Sequence, residues 1–483
     1  MMKANDYWGV VIITINFLVF GYFVAINTTY LALFIAAFVS AGRYVARKRL
    51  VDLDELFRSP LTPKVSVIIP AYNEETGIVE SVRAALMLKY PRFEVIAVND
   101  GSTDSTIAEL VRAYDLRQVT KVVERPVPCA DIVGVYISTV YDNLIFIDKE
   151  HGGKADTLNA GINVSTGDII VTVDADSLIE PDALLKIARP FLEKPEETVA
   201  VGGVVRVVNG CTVTAGNVTD VRLPHGFWAN VQIVEYLRAF LGARMGWSTM
   251  NALLVVPGAF GAFDRDALLE VGGYRRDTVG EDMELIMRMH QYFRKTGRKY
   301  HIWFIPDPVC WTQVPVKIKQ VASQRDRWQR GMIESLRAHE TMLFNPVYGT
   351  VGMLSMPFYF FFEMLGPVVE LLGYAVIVLA QAFGFLGLKF LWLFLSVAVL
   401  YGIIVSLLGI ALEGVALQHF PRVRSLAKMT FYAVLDNLGY RQVNTWWRTK
   451  AYVTYYTRKT KWGDMERQAY SGASPSPDKE PIA

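Results

Sequence analysis

The sequence predicts an α/β domain with a largely parallel sheet, flanked by transmembrane and interfacial α-helices. Three observations predict it. The middle of the chain alternates short β-branched runs with helical segments, while both ends carry long apolar stretches. Of the 483 residues 52% are hydrophobic and only 20% charged, and the mean hydropathy is +0.26, an excess expected of a membrane protein carrying a soluble part. The first strand runs into Pro70-Ala71-Tyr72-Asn73-Glu74 rather than a Gly-x-Gly-x-x-Gly loop, which disfavours a dinucleotide-binding domain. The net charge of +2 makes no basic field that would suggest a nucleic-acid partner. Cys129, Cys211 and Cys310 are too few and too scattered for a disulfide framework or a zinc site.

In chain order, residues 1–50 form an N-terminal transmembrane segment. Residues 7–41 are almost continuously apolar, far longer than a signal-peptide core of roughly 7–15 residues, and read as one helix extended beyond the bilayer. Arg43, Arg47, Lys48 and Arg49 follow, against a lone Lys3 in front, so the amino terminus is expected outside and the α/β domain in the cytosol. That domain spans 51–313, with strands at Val65–Ile69, Phe93–Val98, Leu144–Ile147 and Ile169–Val173 and helices at Thr106–Tyr114 and Pro181–Leu192. Residues 314–345 are a basic amphipathic helix expected at the membrane interface. Residues 346–447 hold two long apolar segments, about 351–383 and 390–415, expected as an in–out–in hairpin because Arg422, Arg424 and Lys428 follow it. Gly366-Pro367 predicts a kink in the first, and 429–447 reads as interfacial. A basic, aromatic tail occupies 448–483, with a Ser/Pro-rich end expected to be disordered.

The chemistry centres on Gly167–Ser177, where a buried strand delivers Asp174 and Asp176 at its end. Residues i and i+2 of an extended chain point the same way, so the two carboxylates can converge on a divalent cation carrying a phosphorylated ligand. The plain alternative is a strand ending in a polar turn. Oxygen ligands without Cys/His clusters favour Mg²⁺ or Mn²⁺ over zinc. Lys154 follows two glycines at a helix start, where a cation and free amides can meet a phosphate, although such a lysine is more often merely exposed. Asp282 opens a helix at Met283–Phe293, where the dipole keeps a carboxylate ionised. Glu363, Glu370 and Glu413 lie in the membrane region and either face an aqueous path or snorkel.

In order and spacing, Val65–Glu74, Val95–Ser102, Gly152–Asn159, Gly167–Ser177, Gly280-Glu281-Asp282 and Gln324–Trp328 resemble the inverting, membrane-embedded family 2 glycosyltransferases, which include hyaluronan, cellulose, chitin-oligosaccharide and poly-N-acetylglucosamine synthases. The resemblance implies a GT-A catalytic domain that transfers hexose from a UDP-sugar, UDP-N-acetylglucosamine above others, to a growing β-linked glycan led across the membrane. By resemblance Ala71, Tyr72, Glu74 and Asp100 hold the nucleotide, and Lys154 and Asp174 the donor phosphates. Asp174 and Asp176 then take the metal, and Asp282 is the catalytic base. Gln324, Arg325, Arg327 and Trp328 would grip the diphosphate and acceptor, with Gly258, Ala259 and Phe260 in an acceptor loop. The implied partners are the UDP-sugar donor, a glycan or glycolipid acceptor, membrane lipids, and accessory export or regulatory subunits, in the plasma or inner membrane. A non-processive glycolipid transferase and an inactive GT-A scaffold are the alternatives.

Overall fold

A computed structural model of the chain describes residues 4–48, 62–214, 216–417 and 423–457. The Ser/Pro-rich end and the cations Lys3, Arg49 and Arg422 lie outside the described residues. The α/β domain is built on one ten-stranded sheet: β1 (Val65–Ala71), β2 (Phe93–Asp100), β3 (Leu116–Val119), β4 (Ile132–Ser138), β5 (Leu144–Lys149), β6 (Ile169–Val173), β7 (Ser177–Ile179), β8 (Thr198–Val207), β11 (Phe260–Asp264) and β12 (His301–Thr312). A separate hairpin pairs β9 (Thr212–Thr214) with β10 (Asn217–Asp220). The order across the large sheet is β3-β4-β5-β2-β1-β6-β11-β8-β12-β7. Its centre, β5-β2-β1-β6, is parallel, whereas β11 runs antiparallel to both of its neighbours.

The strands read as unbroken apolar runs because both faces are covered. Val65, Val67 and Ile69 of β1 enter one core and Ile68 the other; Ile169, Val171 and Val173 of β6 join the first and Ile170 the second. Helices Ile78–Leu86 and Ala183–Glu193 close the first face, and Lys154–Val164 and Glu281–Thr296 close the second. This two-residue alternation decides where the functional end of β6 points. Asp174 continues the parity of Ile170 and Thr172, toward the face that carries the Lys154 and Asp282 helices.

The apolar amino-terminal segment is a single helix, Ala4–Lys48, packed against Tyr401–Leu417, Gly366–Ala382 and the short helix Arg244–Thr249. Among the described residues two helices, Trp8–Arg47 and Leu388–Ala416, are long and apolar enough to cross a membrane. A third span arises if Val351–Met364 and Gly366–Ala382 count as one. That pair is bent by 47° at Leu365, just before the expected Gly366-Pro367, since a proline without an amide hydrogen fits the first turn of a new helix better than the middle of a continuous one. The acidic residues of this region do not snorkel. Glu370 pairs with Arg441 at 2.6 Å, Glu413 with Arg206 at 2.8 Å, and Glu363 with Arg448 at 3.3 Å. Two of these pairs line a cavity of about 110 Å³ together with Asn27, Tyr30 and Asn444.

The basic helix spans Ile318–Ala338, and its buried face differs from the expected apolar stripe. Ile318 is about half exposed, while Arg325, Asp326, Gln329 and Arg330 are buried with Val321, Ile333 and Leu336. The polar motif itself is therefore the packing surface, wedged between Glu281–Thr296 and the last described helix, Arg441–Thr457. Gly331 and Gly280 allow the closest approach: a Cβ on Gly331 would lie 2.9 Å from the Gly280 Cα. Gly331→Ala is expected to push the two helices apart, costing about 1–3 kcal/mol of stability. Because Gly280 immediately precedes Glu281 and Asp282, kcat should fall about 100-fold with little change in donor affinity; thermal melting and initial rates check both.

Candidate active site

The carboxyl ends of β1, β2, β5 and β6 meet on one edge, the place where open α/β sheets bind ligands. In-register pairing puts Ala71 opposite Asn99 and Asp100 opposite Lys149. Tyr72, 46% exposed, leans over the His151 ring with centroids 4.7 Å apart. Glu74 is buried beneath, its backbone N–H donating to Thr106 Oγ1.

Asp100 is placed differently from an open nucleotide contact. Its carboxylate is buried and engaged on both oxygens: Lys149 Nζ at 2.6 Å, and the N–H groups of Gly152 and Gly153 at 2.9 Å each. It pins the glycine turn and so sets the start of the Lys154 helix. Lys149 and His151 carry no motif signal of their own, and only strand pairing brings them here.

Lys154 Nζ reaches Asp174 Oδ1 at 2.5 Å, the Gly258 carbonyl at 3.3 Å and Glu281 Oε1 at 3.4 Å. Burial works against its charge, but Asp174 and Glu281 outweigh burial and hold the ammonium protonated. Gly258 fills the gap between acid and cation: a Cβ there would sit 3.1 Å from Asp282 Oδ2 and 3.5 Å from Lys154 Nζ. The expected acceptor loop is only partly a loop, since Phe260 begins β11 and is fully buried. Gly258 and Ala259 remain at the edge, where the Ala259 carbonyl accepts from the Asp174 N–H at 3.3 Å.

Asp282 lies in the first turn of Glu281–Thr296 and accepts from the Met283 N–H at 2.8 Å. Burial, then the charge of Asp174, pushes the Asp176 carboxyl up to about 7, against the pull of Lys154 and Arg327. Burial also raises Glu281, with Lys154 and Arg327 opposing and Asp282 adding to the rise. A cleft that forces a carboxyl partly neutral has room for more positive charge than it contains. Among the described residues no group of three or more His, Cys, Asp or Glu is placed to hold a metal unaided. Asp174 and Asp176 thus fit a hard cation that draws its remaining ligands from phosphate and water, as Mg²⁺ commonly does.

The Gln324–Trp328 motif divides. Arg327 lies close enough for its charge to act on Asp176 and Glu281. Arg325 points away from them: it is 2% exposed, pairs with Glu235 at 2.6 Å, and bonds the Tyr440 hydroxyl at 3.0 Å. Its guanidinium also sits 4.3 Å over the Trp328 ring and orients the indole. Trp328 completes a wall with Phe240 at 5.8 Å and Tyr236 at 6.4 Å. The Gln324 amide oxygen is buried without a hydrogen-bond partner among the described residues. Glu235 carries no motif signal within 227–243, where Arg238 is the other charge, and its partner Tyr440 lies about two hundred residues downstream.

A strand-edge cleft with paired carboxylates, a buried lysine and a helix-opening aspartate, on this mixed sheet, defines a GT-A glycosyltransferase domain. The profile described as Glycosyl transferase family group 2 matches residues 169–407, and that described as Glycosyl transferase family 2 matches 66–128; the chain belongs to glycosyltransferase family 2. It is similar to the poly-beta-1,6-N-acetyl-D-glucosamine synthase of Staphylococcus aureus (strain COL), with 25% identity over 339 residues, 70% of this chain and 68% of that one. The synthase of the same name from Staphylococcus epidermidis is 27% identical over 280 residues, 58% of this chain and 55% of that one. In fold it is similar to the mannosyltransferase PcManGT from Pyrobaculum calidifontis, solved with GDP-Man and Mn²⁺: TM-score 0.51 and 21% identity, covering 86% of this chain and 99% of that one.

Proposed function

We propose that this glycosyltransferase uses a UDP-sugar, with UDP-N-acetylglucosamine the first candidate, to extend a β-linked polysaccharide with inversion, processively and coupled to export. The carrying observation is that Lys154 bonds both Asp174 and the Gly258 carbonyl, with the Asp282 carboxylate against the same glycine and the aromatic group Trp328, Phe240 and Tyr236 on the neighbouring helices. The relatives that make poly-N-acetylglucosamine support the donor and the polymer. Arg43 and Arg47 in the last turns of the first helix support a cytosolic site in the plasma or inner membrane.

Tyr72 and His151 form the lip on which a nucleobase can stack, above the turn held by Asp100. Lys154 and Arg327 meet the diphosphate as its bond to the sugar C1 breaks and negative charge develops there. A divalent cation on Asp174 and Asp176 would add Lewis-acid stabilisation of the same leaving group. Asp282 takes the proton of the acceptor hydroxyl as the new oxygen–C1 bond forms on the opposite face. Trp328, Phe240 and Tyr236 hold the terminal sugar between additions.

Product length tests this reading. Purified enzyme with radiolabelled UDP-N-acetylglucosamine is expected to yield polymer, and Trp328→Ala to yield markedly shorter chains. One stacked aromatic face contributes on the order of 1 kcal/mol, or about fivefold, at every translocation, while the donor KM should move less than the length does. Wild-type enzyme that adds a single sugar would replace the processive reading with the single-transfer one.

A further inference from the structure

Arg244 opens the short helix Arg244–Thr249, immediately after the π-turn Leu237–Ala243. It is 8% exposed, and its guanidinium carbon lies 4.2 Å from the centroid of Phe240, the ring that abuts Trp328. The buried Arg325 and Arg330 and the partly buried Arg238 each hold a carboxylate: Arg325 with Glu235 at 2.6 Å, Arg238 with Asp436 at 2.7 Å, and Arg330 with Asp326 at 3.1 Å. Arg244 has neither an ion pair nor a hydrogen bond among the described residues. Burial pulls it below the ordinary guanidinium value, and Tyr359 and then Asp282 oppose that pull. It is therefore a desolvated cation beside the acceptor wall, within electrostatic reach of the proposed base. Buried charges that are retained are normally paired, so an anion from outside the chain is the missing partner.

We propose that Arg244 binds an oxyanion carried by the acceptor and so selects an anionic acceptor over a neutral one. The proposal rests on the glycosyltransferase reading above. Two sources offer that chemistry: the carboxylate of an acidic sugar in the growing chain, and the phosphate of a lipid-linked primer. Held beside the Phe240 ring, a planar guanidinium has the donors for a bidentate grip on an oxyanion that lysine cannot copy.

The full chain in detergent is assayed with a glucuronate-terminated oligosaccharide against its methyl ester, and with geranyl phosphate against geraniol. The wild type is expected to show an acceptor KM about tenfold lower for the anionic member of at least one pair, the value of one charge-assisted contact. The pair that shows it identifies the source. Arg244→Gln is expected to erase the preference and Arg244→Lys to keep part of it, with melting temperatures reporting that both variants fold. A wild type indifferent to charge in both pairs, or a preference that survives in Arg244→Gln, overturns the proposal. Donor hydrolysis without acceptor tests the enzymatic reading separately. If the wild type hydrolyses no UDP-sugar, equilibrium binding of the same four compounds to wild type and Arg244→Gln still decides the role of Arg244.

Discussion

Replacing Asp282 by Asn is expected to lower kcat about 10²–10⁴-fold, the range over which a positioned general base contributes. The substitution keeps the shape and the contact with the Met283 N–H, since the amide oxygen can accept that bond at the present 2.8 Å. It removes only the ability to take a proton. UDP binding, measured by calorimetry, should stay within about twofold of wild type, because a group used in the transition state alone leaves ground-state affinity intact. The result gains its meaning from Gly258, which lies against the Asp282 carboxylate and whose carbonyl accepts from Lys154, the cation proposed to meet the donor diphosphate. Equal losses in turnover and in UDP affinity would make Asp282 a structural residue.

The second large effect is expected at the paired aspartates. Chelation with EDTA should abolish transfer, and Mn²⁺ or Mg²⁺ should restore it. Asp176→Asn should weaken Mn²⁺ binding and reduce kcat about 10²–10³-fold, as loss of one electrostatic contact to a developing charge does. The metal-free variant should nevertheless melt no lower than wild type. Burial and Asp174 already drive the Asp176 carboxyl toward its neutral form, so an uncharged amide there relieves repulsion. Lower melting together with unchanged Mn²⁺ affinity would assign Asp176 to the fold. Full activity of Asp176→Asn in chelator would remove the metal from the mechanism.

How far the site was legible depended on the range of the interaction that makes it. Asp174 and Asp176 were readable as an acidic end to the β6 run, but not as two positions of one strand: β6 stops at Val173 and the two fall in the turn to β7, closed by the Ser177 N–H donating to the Asp174 carbonyl at 2.9 Å. Lys154 and Asp282 were readable as helix openings, a local property of the glycines in front of them. Asp100 was found, yet its contacts were not, because Lys149 arrives from the neighbouring strand β5. Phe260 was placed in an acceptor loop by resemblance, whereas pairing of β11 with β6 on one side and β8 on the other carries it into the sheet, opposite Val173.

The membrane part divides along the same line. Long apolar runs specify helices of spanning length by themselves, and Pro367 specifies a bend, since both follow from local hydropathy and backbone geometry. Which polar residues inside those helices meet is not local. Glu370 finds Arg441 and Glu363 finds Arg448 only after the last helix docks against the others. By itself, then, the sequence determined the alternating elements, the spanning segments and the acidic strand end, all set by periodicity over a few residues. Tertiary structure alone decided that Arg325 pairs with Glu235 and Tyr440, that Gly331 and Gly280 touch, and that Arg244 is buried with no ion pair among the described residues. Those outcomes depend on packing between segments tens to hundreds of residues apart, and no local pattern encodes that packing.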